Sequence, residues 1–262
     1  MATHPDAMTM NPCRVLPHEV ADGPRNMAVD EALLDSVAGD PTASVVRTYA
    51  WSEPTLSLGY FQPFAAVEAE TRWRGRPVVR RATGGGALWH DREITYAVVI
   101  PADHPLARPS TALYRAIHRA IGDHLRAAGV EARRRGEAAA RPAPTRPFLC
   151  FADRDADDIV AGAIKLVGSA QRRRSGAVLQ HGSLLLARSP TTPELPGLGD
   201  LTAPGPVGAA AQADRWRAVL AAALPAALGT EAISAELTDC ERDRADTLRR
   251  DIYATTGWAR RR

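Results

Sequence analysis

Short β-branched and aromatic segments, punctuated by glycine and proline, fill the middle of this chain, and its helical patterns stand apart from them. Ser44–Trp51, Thr55–Leu58, Val78–Arg81 and Ile94–Ile100 read as strands, with Glu53-Pro54 and Gly84-Gly85-Gly86 marking turns. Ile159–Val160, Ile164–Val167, Ala177–Leu179 and Ser183–Leu186 read as further short strands separated by glycine turns. A helix is expected from Asn26, its cap, to about Ala38, and a short one over Phe64–Trp73. The strongest helical pattern opens at Ser110 and Thr111 and runs to about Ala128, with Leu113, Ile117, Ile121 and Leu125 on one stripe. Asp214–Leu228 and Cys240–Thr255 complete the helical set. Nothing here repeats a strand–helix–strand unit. The pattern predicts an α+β fold with a central mixed or antiparallel sheet flanked by helices.

Residues 1–20 show no periodicity and are expected to form a loose leader, with one domain over 21–262. Two stretches read as mobile loops: 133–147, of low complexity, and 189–208, rich in proline. No run of 18 apolar residues exists, and Val219–Leu228 is broken by Pro225, so no membrane segment is expected. A polar start without an apolar core argues against a secretory signal. Three cysteines, Cys13, Cys150 and Cys240, give neither a disulfide framework nor a zinc pattern and fit a reduced cytoplasm.

Composition matters at one point. Of 33 Lys plus Arg only Lys165 is lysine, in a chain where arginine otherwise replaces it. A guanidinium cannot serve where a compact or proton-losing amine is needed, so the surviving lysine is a candidate for chemistry. Its neighbours Ile164, Leu166 and Val167 are apolar, which fits an amine leaving a buried strand; a snorkelling edge lysine is the plainer reading. Arg80-Arg81-Ala82-Thr83-Gly84-Gly85-Gly86 joins a strand end to a glycine loop, with His90 just beyond. Such a loop can bring backbone amides to a carboxylate or phosphate, or be an ordinary turn between solvated arginines. It fits neither the Walker nor the dinucleotide spacing. Cys150 lies between Leu149 and Phe151, a context for inert packing or for a nucleophile with Lys165 or His181 nearby as cation. His181 alone reads as a core histidine, and Arg172–Arg174 as a solvated face or a dock for an acidic protein.

NMAVDEALL, RRATGGGALWHDREITYAVVIP and KLVGSAQRRRSGAVLQHGSLLL, in this order, resemble the biotin/lipoate protein ligase and octanoyltransferase family from about Asn26 to Leu186. The resemblance implies an α+β catalytic domain that attaches lipoate, octanoate or biotin to one lysine of a carrier domain. By motif, Arg81, Thr83 and Gly84, Gly85 and Gly86 would line the acyl tunnel, and His90 would close that loop. Lys165 matches the lysine that contacts the acyl carbonyl, with Ser169, Ala170 and His181 beside it. Cys150-Phe151 and the GSAQRR and LQHGS segments are similar to the cysteine-dependent branch. There, Cys150 would take octanoate from acyl carrier protein as a thioester, Lys165 would assist proton transfer, and a lipoyl domain or small lipoyl carrier protein would accept the acyl group. That branch needs no cofactor. Thr83 stands where serine is common, Ala163-Ile164 where glycine and a polar residue are usual, and Asp153–Asp158 is more acidic than expected.

Three other readings compete, one of them a family member that binds acyl groups without turning them over. An ATP-dependent lipoate–protein ligase would use ATP and Mg to adenylate the free acid. A non-enzymatic nucleic-acid binder would use Arg133–Arg135, Arg172–Arg174 and Arg260–Arg262, but a net charge of +3 and a lack of interleaved aromatics speak against it. The expectation is therefore a cytoplasmic enzyme with protein partners, not a nucleic-acid or membrane protein.

Overall fold

A computed structural model describes residues 11–136, 147–152, 155–174, 176–201 and 209–262. In chain order it has β1 (Cys13–Val15), β2 (Glu19–Ala21), α1 (Gly23–Ala38), β3 (Val45–Trp51), β4 (Thr55–Leu58) and α2 (Ala65–Glu68). Next come β5 (Val78–Arg80), β6 (Leu88–His90), β7 (Glu93–Pro101), α3 (Ser110–Ala127), β8 (Ala132–Arg134) and β9 (Ile159–Ala161). β10 (Ile164–Arg174), β11 (Ala177–Leu185), α4 (Ala209–Leu228), β12 (Ala232–Ser234), α5 (Asp239–Leu248) and α6 (Thr256–Ala259) complete it.

Strand β7 shows why the sheet is central. Its alternate residues Ile94, Tyr96, Val98 and Ile100 join one apolar cluster, and Ala97 and Val99 join another. A strand buried on both faces needs a layer on each. On the first face lie Leu113, Ile117, Ile121 and Leu125 of α3 and Trp216, Leu220 and Leu224 of α4. On the second lie Met27, Leu33, Leu34 and Val37 of α1 with Ala245 and Leu248 of α5. Among the described residues the sheet runs β12-β1-β3-β7-β11-β10-β9-β8, with β2 added beside β3. The β3-β7-β11-β10-β9-β8 stretch is antiparallel, whereas β1 runs parallel to both β3 and β12. A second sheet, β5-β4-β6, packs through Leu56, Leu58, Trp73 and Trp89. The α+β expectation with a mixed sheet holds.

Several local expectations need correction. Residues 13–15 and 19–21 are strands, not leader; three-residue strands are too short to show a period, yet Cys13 is fully buried. Residues 1–10 lie outside the described set. Of the expected loop at 133–147, residues 133–134 belong to β8, and 137–146 lie outside the description. Ser189–Leu201 has its own turns and buries Leu198, while 202–208 lie outside. The two segments of 177–186 are one strand, β11. The Phe64–Trp73 segment splits into α2 and a separate 3-10 turn at Thr71–Trp73. Beyond α5 the expected helix continues only as a π turn at Arg249–Tyr253. No helix among the described residues is long and apolar enough to cross a membrane.

Asp22, not Asn26, caps α1: its carboxylate accepts the Arg25 N–H at 2.8 Å, and Pro24 sits in the first turn, where a missing N–H costs nothing. Asn26 is instead fully buried one turn later. Its amide donates to Ala21 O and Ala50 O, both at 3.1 Å, and its oxygen accepts from Arg47 at 3.1 Å. Asn26→Leu, similar in size, strands these partners and should lower stability by about 3 kcal/mol, read from urea unfolding.

Candidate active site

The glycine loop and Cys150 are held to each other by backbone. Ala87 N–H donates to Phe148 O at 2.8 Å, and Cys150 N–H donates to Ala87 O at 2.7 Å. A Cβ on Gly86 would lie 2.9 Å from Cys150 N and 3.1 Å from its Cα, so only glycine lets the two segments come this close. The loop is backed by Arg81, whose buried guanidinium donates to Gly84 O at 3.2 Å, Gly86 O at 2.9 Å and Ser57 O at 2.8 Å. Burial presses the Arg81 pKa down, with nearby negative groups opposing it.

Lys165 reaches the same place from β10. The β9–β10 register shifts between Lys165 and Val167, an irregularity that re-aims a strand side chain. Its amine donates to Cys150 O at 3.0 Å, lies 3.7 Å from Cys150 Sγ, and pairs with Asp158 Oδ2 at 2.9 Å. Phe151 presents its ring 5.2 Å away. Both ionic partners are about 5% exposed or less, and burial raises the Asp158 pKa against the pull of Lys165. An ammonium this close to Sγ can offset the charge of a thiolate.

A cavity of about 240 Å³ opens here, lined by Gly84–Gly86, Cys150, Lys165, Ser169, Ala170 and Gln171 from the expected segments and by Tyr114, His118 and three aspartates from elsewhere. Among the described residues none of the amides of Gly84, Gly85 or Gly86 donates to another backbone group. A larger hollow of about 650 Å³ is lined by His104, Thr230 and Glu231 among apolar and backbone groups, with neither a cysteine nor a lysine in its described lining.

Four expected site residues sit behind this cavity and not in it. His181 Nδ1–H donates to Asp30 at 2.7 Å, and its Nε2 lies within hydrogen-bond distance of Thr83 Oγ1 at 2.7 Å. Asp30 also accepts from Tyr49 OH at 2.9 Å. This relay joins the three sequence motifs through one residue of each. His90 lies further back, 2.6 Å from Ser57 Oγ and 2.5 Å from Glu93 Oε1, and stacked on Trp51. Burial lowers its pKa. Arg81, Thr83, His90 and His181 thus support the loop from within, where tunnel-lining roles were expected for Arg81 and Thr83.

The sequence reading missed His118 and Asp158. His118 follows Ile117 at the edge of the α3 apolar stripe, and that position was its only signal. Its Nδ1–H donates to Asp157 O at 2.5 Å, so Nε2 accepts from Ser169 Oγ at 2.7 Å. Ser169 in turn accepts from Gln180 at 3.1 Å, and Gln180 from Gln171 at 2.9 Å. Every donor direction in this chain follows from the first. Burial is the main cause that lowers the His118 pKa to about 4.

These positions lie in a known family. The lipoyl protein ligase A/B catalytic domain model matches residues 22–192, and the chain belongs to that family. It is similar to Octanoyltransferase LipM of Moorella thermoacetica, 43% identical over 180 residues, covering 66% of this chain and 64% of that relative. The chain thus spans under two thirds of that relative's length. For Octanoyltransferase LipM of Kyrpidia tusciae the identity is 35%, covering 85% of this chain and 89% of the relative. A lipoate-protein ligase A solved with ATP superposes with a TM-score of 0.73 at 25% identity, over 95% of this chain and 99% of that one. A bi-partite lipoate protein ligase of Thermoplasma acidophilum shares the fold, with a TM-score of 0.69 at 22% identity over 96% of each chain.

Two outcomes test this geometry. A Cβ on Gly168 would meet Lys165 Cε at 2.6 Å and Nζ at 3.0 Å. Gly168→Ala should therefore still fold, since a flexible side chain yields, yet displace the amine from Asp158 and Cys150; thiol alkylation kinetics at Cys150 should change and the melting temperature should fall modestly. Neutral His118 gives stability that is complete above the unfolded pKa of 6.5 and lost as pH falls toward about 4. His118→Gln should remove roughly 3 kcal/mol of that acid sensitivity, seen as a flatter urea-unfolding profile between those pH values.

Proposed function

We propose that this chain transfers an octanoyl group from acyl carrier protein to one lysine of a lipoyl domain, or of a small lipoyl carrier protein, through a Cys150 thioester. The observation that carries the reading is the Lys165 amine 3.7 Å from Cys150 Sγ, in a cavity that Gly84, Gly85 and Gly86 also line. Likeness to octanoyltransferases from two organisms supports it.

The chemistry divides one acyl transfer in two. Cys150 gives up its proton, and Sγ attacks the donor's thioester carbon. Negative charge grows on the carbonyl oxygen, where Gly84–Gly86 amides can receive it. The donor's C–S bond then breaks, and its sulfur leaves as a thiol after taking up a proton, with Lys165 placed to assist. The lysine amine of the acceptor next attacks the Cys150 thioester, loses a proton and becomes an amide. Sγ leaves and regains its proton. No group outside the chain and its two substrates enters this balance, so no ATP or metal is needed.

The fold shared with a ligase solved with ATP makes adenylation of free lipoate the second reading. One assay separates them. The chain incubated with octanoyl-acyl carrier protein, without ATP, should show an octanoyl adduct on Cys150 by mass spectrometry and pass it to apo lipoyl domain. Cys150→Ser should lose the adduct and at least about a hundredfold in transfer rate; Lys165→Arg, which keeps charge but not the compact amine, should also fall severely. Activity only with ATP and free lipoate, or full activity of Cys150→Ser, overturns the proposal.

A further inference from the structure

Beside the cavity lies a basic and aromatic patch that the chemistry above does not use. The guanidinium carbons of Arg172, Arg261 and Arg262 stand 5.5, 4.7 and 5.4 Å from the centre of the Tyr60 ring. Arg262 also covers Phe61, which is 67% exposed, and Arg261 covers Trp258. Other arginines spend their charge internally: Arg174 on Asp35 and Glu31, Arg134 on Asp157, Arg260 on Glu68. Among the described residues no carboxylate pairs with Arg172, Arg261 or Arg262.

The patch is built, not trailing. Buried Arg80 donates to Ala259 O at 2.9 Å and to Gln62 O at 2.7 Å, and Phe64 N–H donates to Arg262 O at 2.7 Å. After burial, the fields of Arg261 and Arg262 are what lower the Arg80 pKa. It also abuts the cavity rim. The Phe61 ring lies 3.9 Å from where a Gly84 Cβ would stand, Tyr60 N–H donates to Thr83 O at 2.8 Å, and Arg172 follows the cavity residue Gln171.

We propose that Arg172, Arg261 and Arg262, gathered around Tyr60 and edged by Phe61, dock the acidic carrier protein that delivers the acyl thioester. The inference rests on the acyl-transfer reading and adds where its donor binds. Three unpaired guanidiniums suit carboxylates and, by their forked geometry, the phosphodiester through which a carrier holds its acyl arm. A single-stranded nucleic acid suits the patch less well, because stacking needs open ring faces and those of Tyr60 are already occupied by arginines. Arg173 plays a different part: it reaches back to Ala107 O at 2.7 Å.

The test compares two donors on the Arg172→Glu/Arg261→Glu variant, with folding verified by circular dichroism and Arg172→Glu alone as the fallback. Octanoyl-acyl carrier protein carries the acidic surface and the phosphodiester; octanoyl-pantetheine carries neither. The KM for the carrier donor should rise roughly tenfold or more and lose its dependence on salt. Acylation of Cys150 by octanoyl-pantetheine, and the KM for apo lipoyl domain, should not move. The docking proposal is overturned if both donors are affected equally, if only the acceptor KM shifts, or if the variant merely loses binding to a labelled single-stranded oligonucleotide. If the wild-type chain takes octanoate from neither donor, the acyl-transfer reading itself falls.

Discussion

Arg81 sits beneath the glycine loop with its charge removed from water, and among the described residues no carboxylate pairs with it. Its desolvation is met by oxygens of Ser57, Gly84 and Gly86. An unmet buried charge would cost several kcal/mol, so the loop cannot leave these contacts without exposing the guanidinium. That constraint passes outward. Loop position sets Ala87, Ala87 sets the backbone of Cys150, and Cys150 O gives Lys165 one of its partners. The cavity is the space left once this sequence of contacts is complete.

Electrostatics inside the cavity then follow from burial. Asp158 and Lys165 offset each other at 2.9 Å, and removing either would leave the other charged in a poor solvent. His118, by contrast, is kept neutral and spends both ring nitrogens on neutral partners. The site thus holds one charged pair beside its thiol and, running from His118 of α3 to Ser169 further along β10, a neutral polar chain, a division that burial favours.

Much of this was legible in the residues, for identifiable reasons. The alternation of Ile94, Tyr96, Val98 and Ile100 and the stripe of Leu113, Ile117, Ile121 and Leu125 report faces directly, because period and burial coincide there. Lys165 and Cys150 stood out through composition and motif, and they do meet. Strands β1, β2 and β12 were silent, since three residues carry no period. Gly182 read as a turn but lies within β11, opposite Ser169 of β10. Asp158 looked like part of an unexpected acidic run, and only the fold shows it facing Lys165. The relay from Asp30 through His181 to Thr83 likewise joins residues 151 and 98 positions apart, a relation no local pattern contains.

The pinning of Trp258–Arg262 on Arg80 also orders the events of synthesis. Arg80 bonds to Ala259 across 179 residues, and β1 pairs with β12 from the other end of the chain. Ribosomes release the N-terminal motifs first, but closing such long loops comes late and carries the larger entropic cost. The nascent chain therefore holds its thiol and its lysine well before the backing of Tyr60 and the first strand's partner emerge. A half-made copy would have the reagents without the finished vessel.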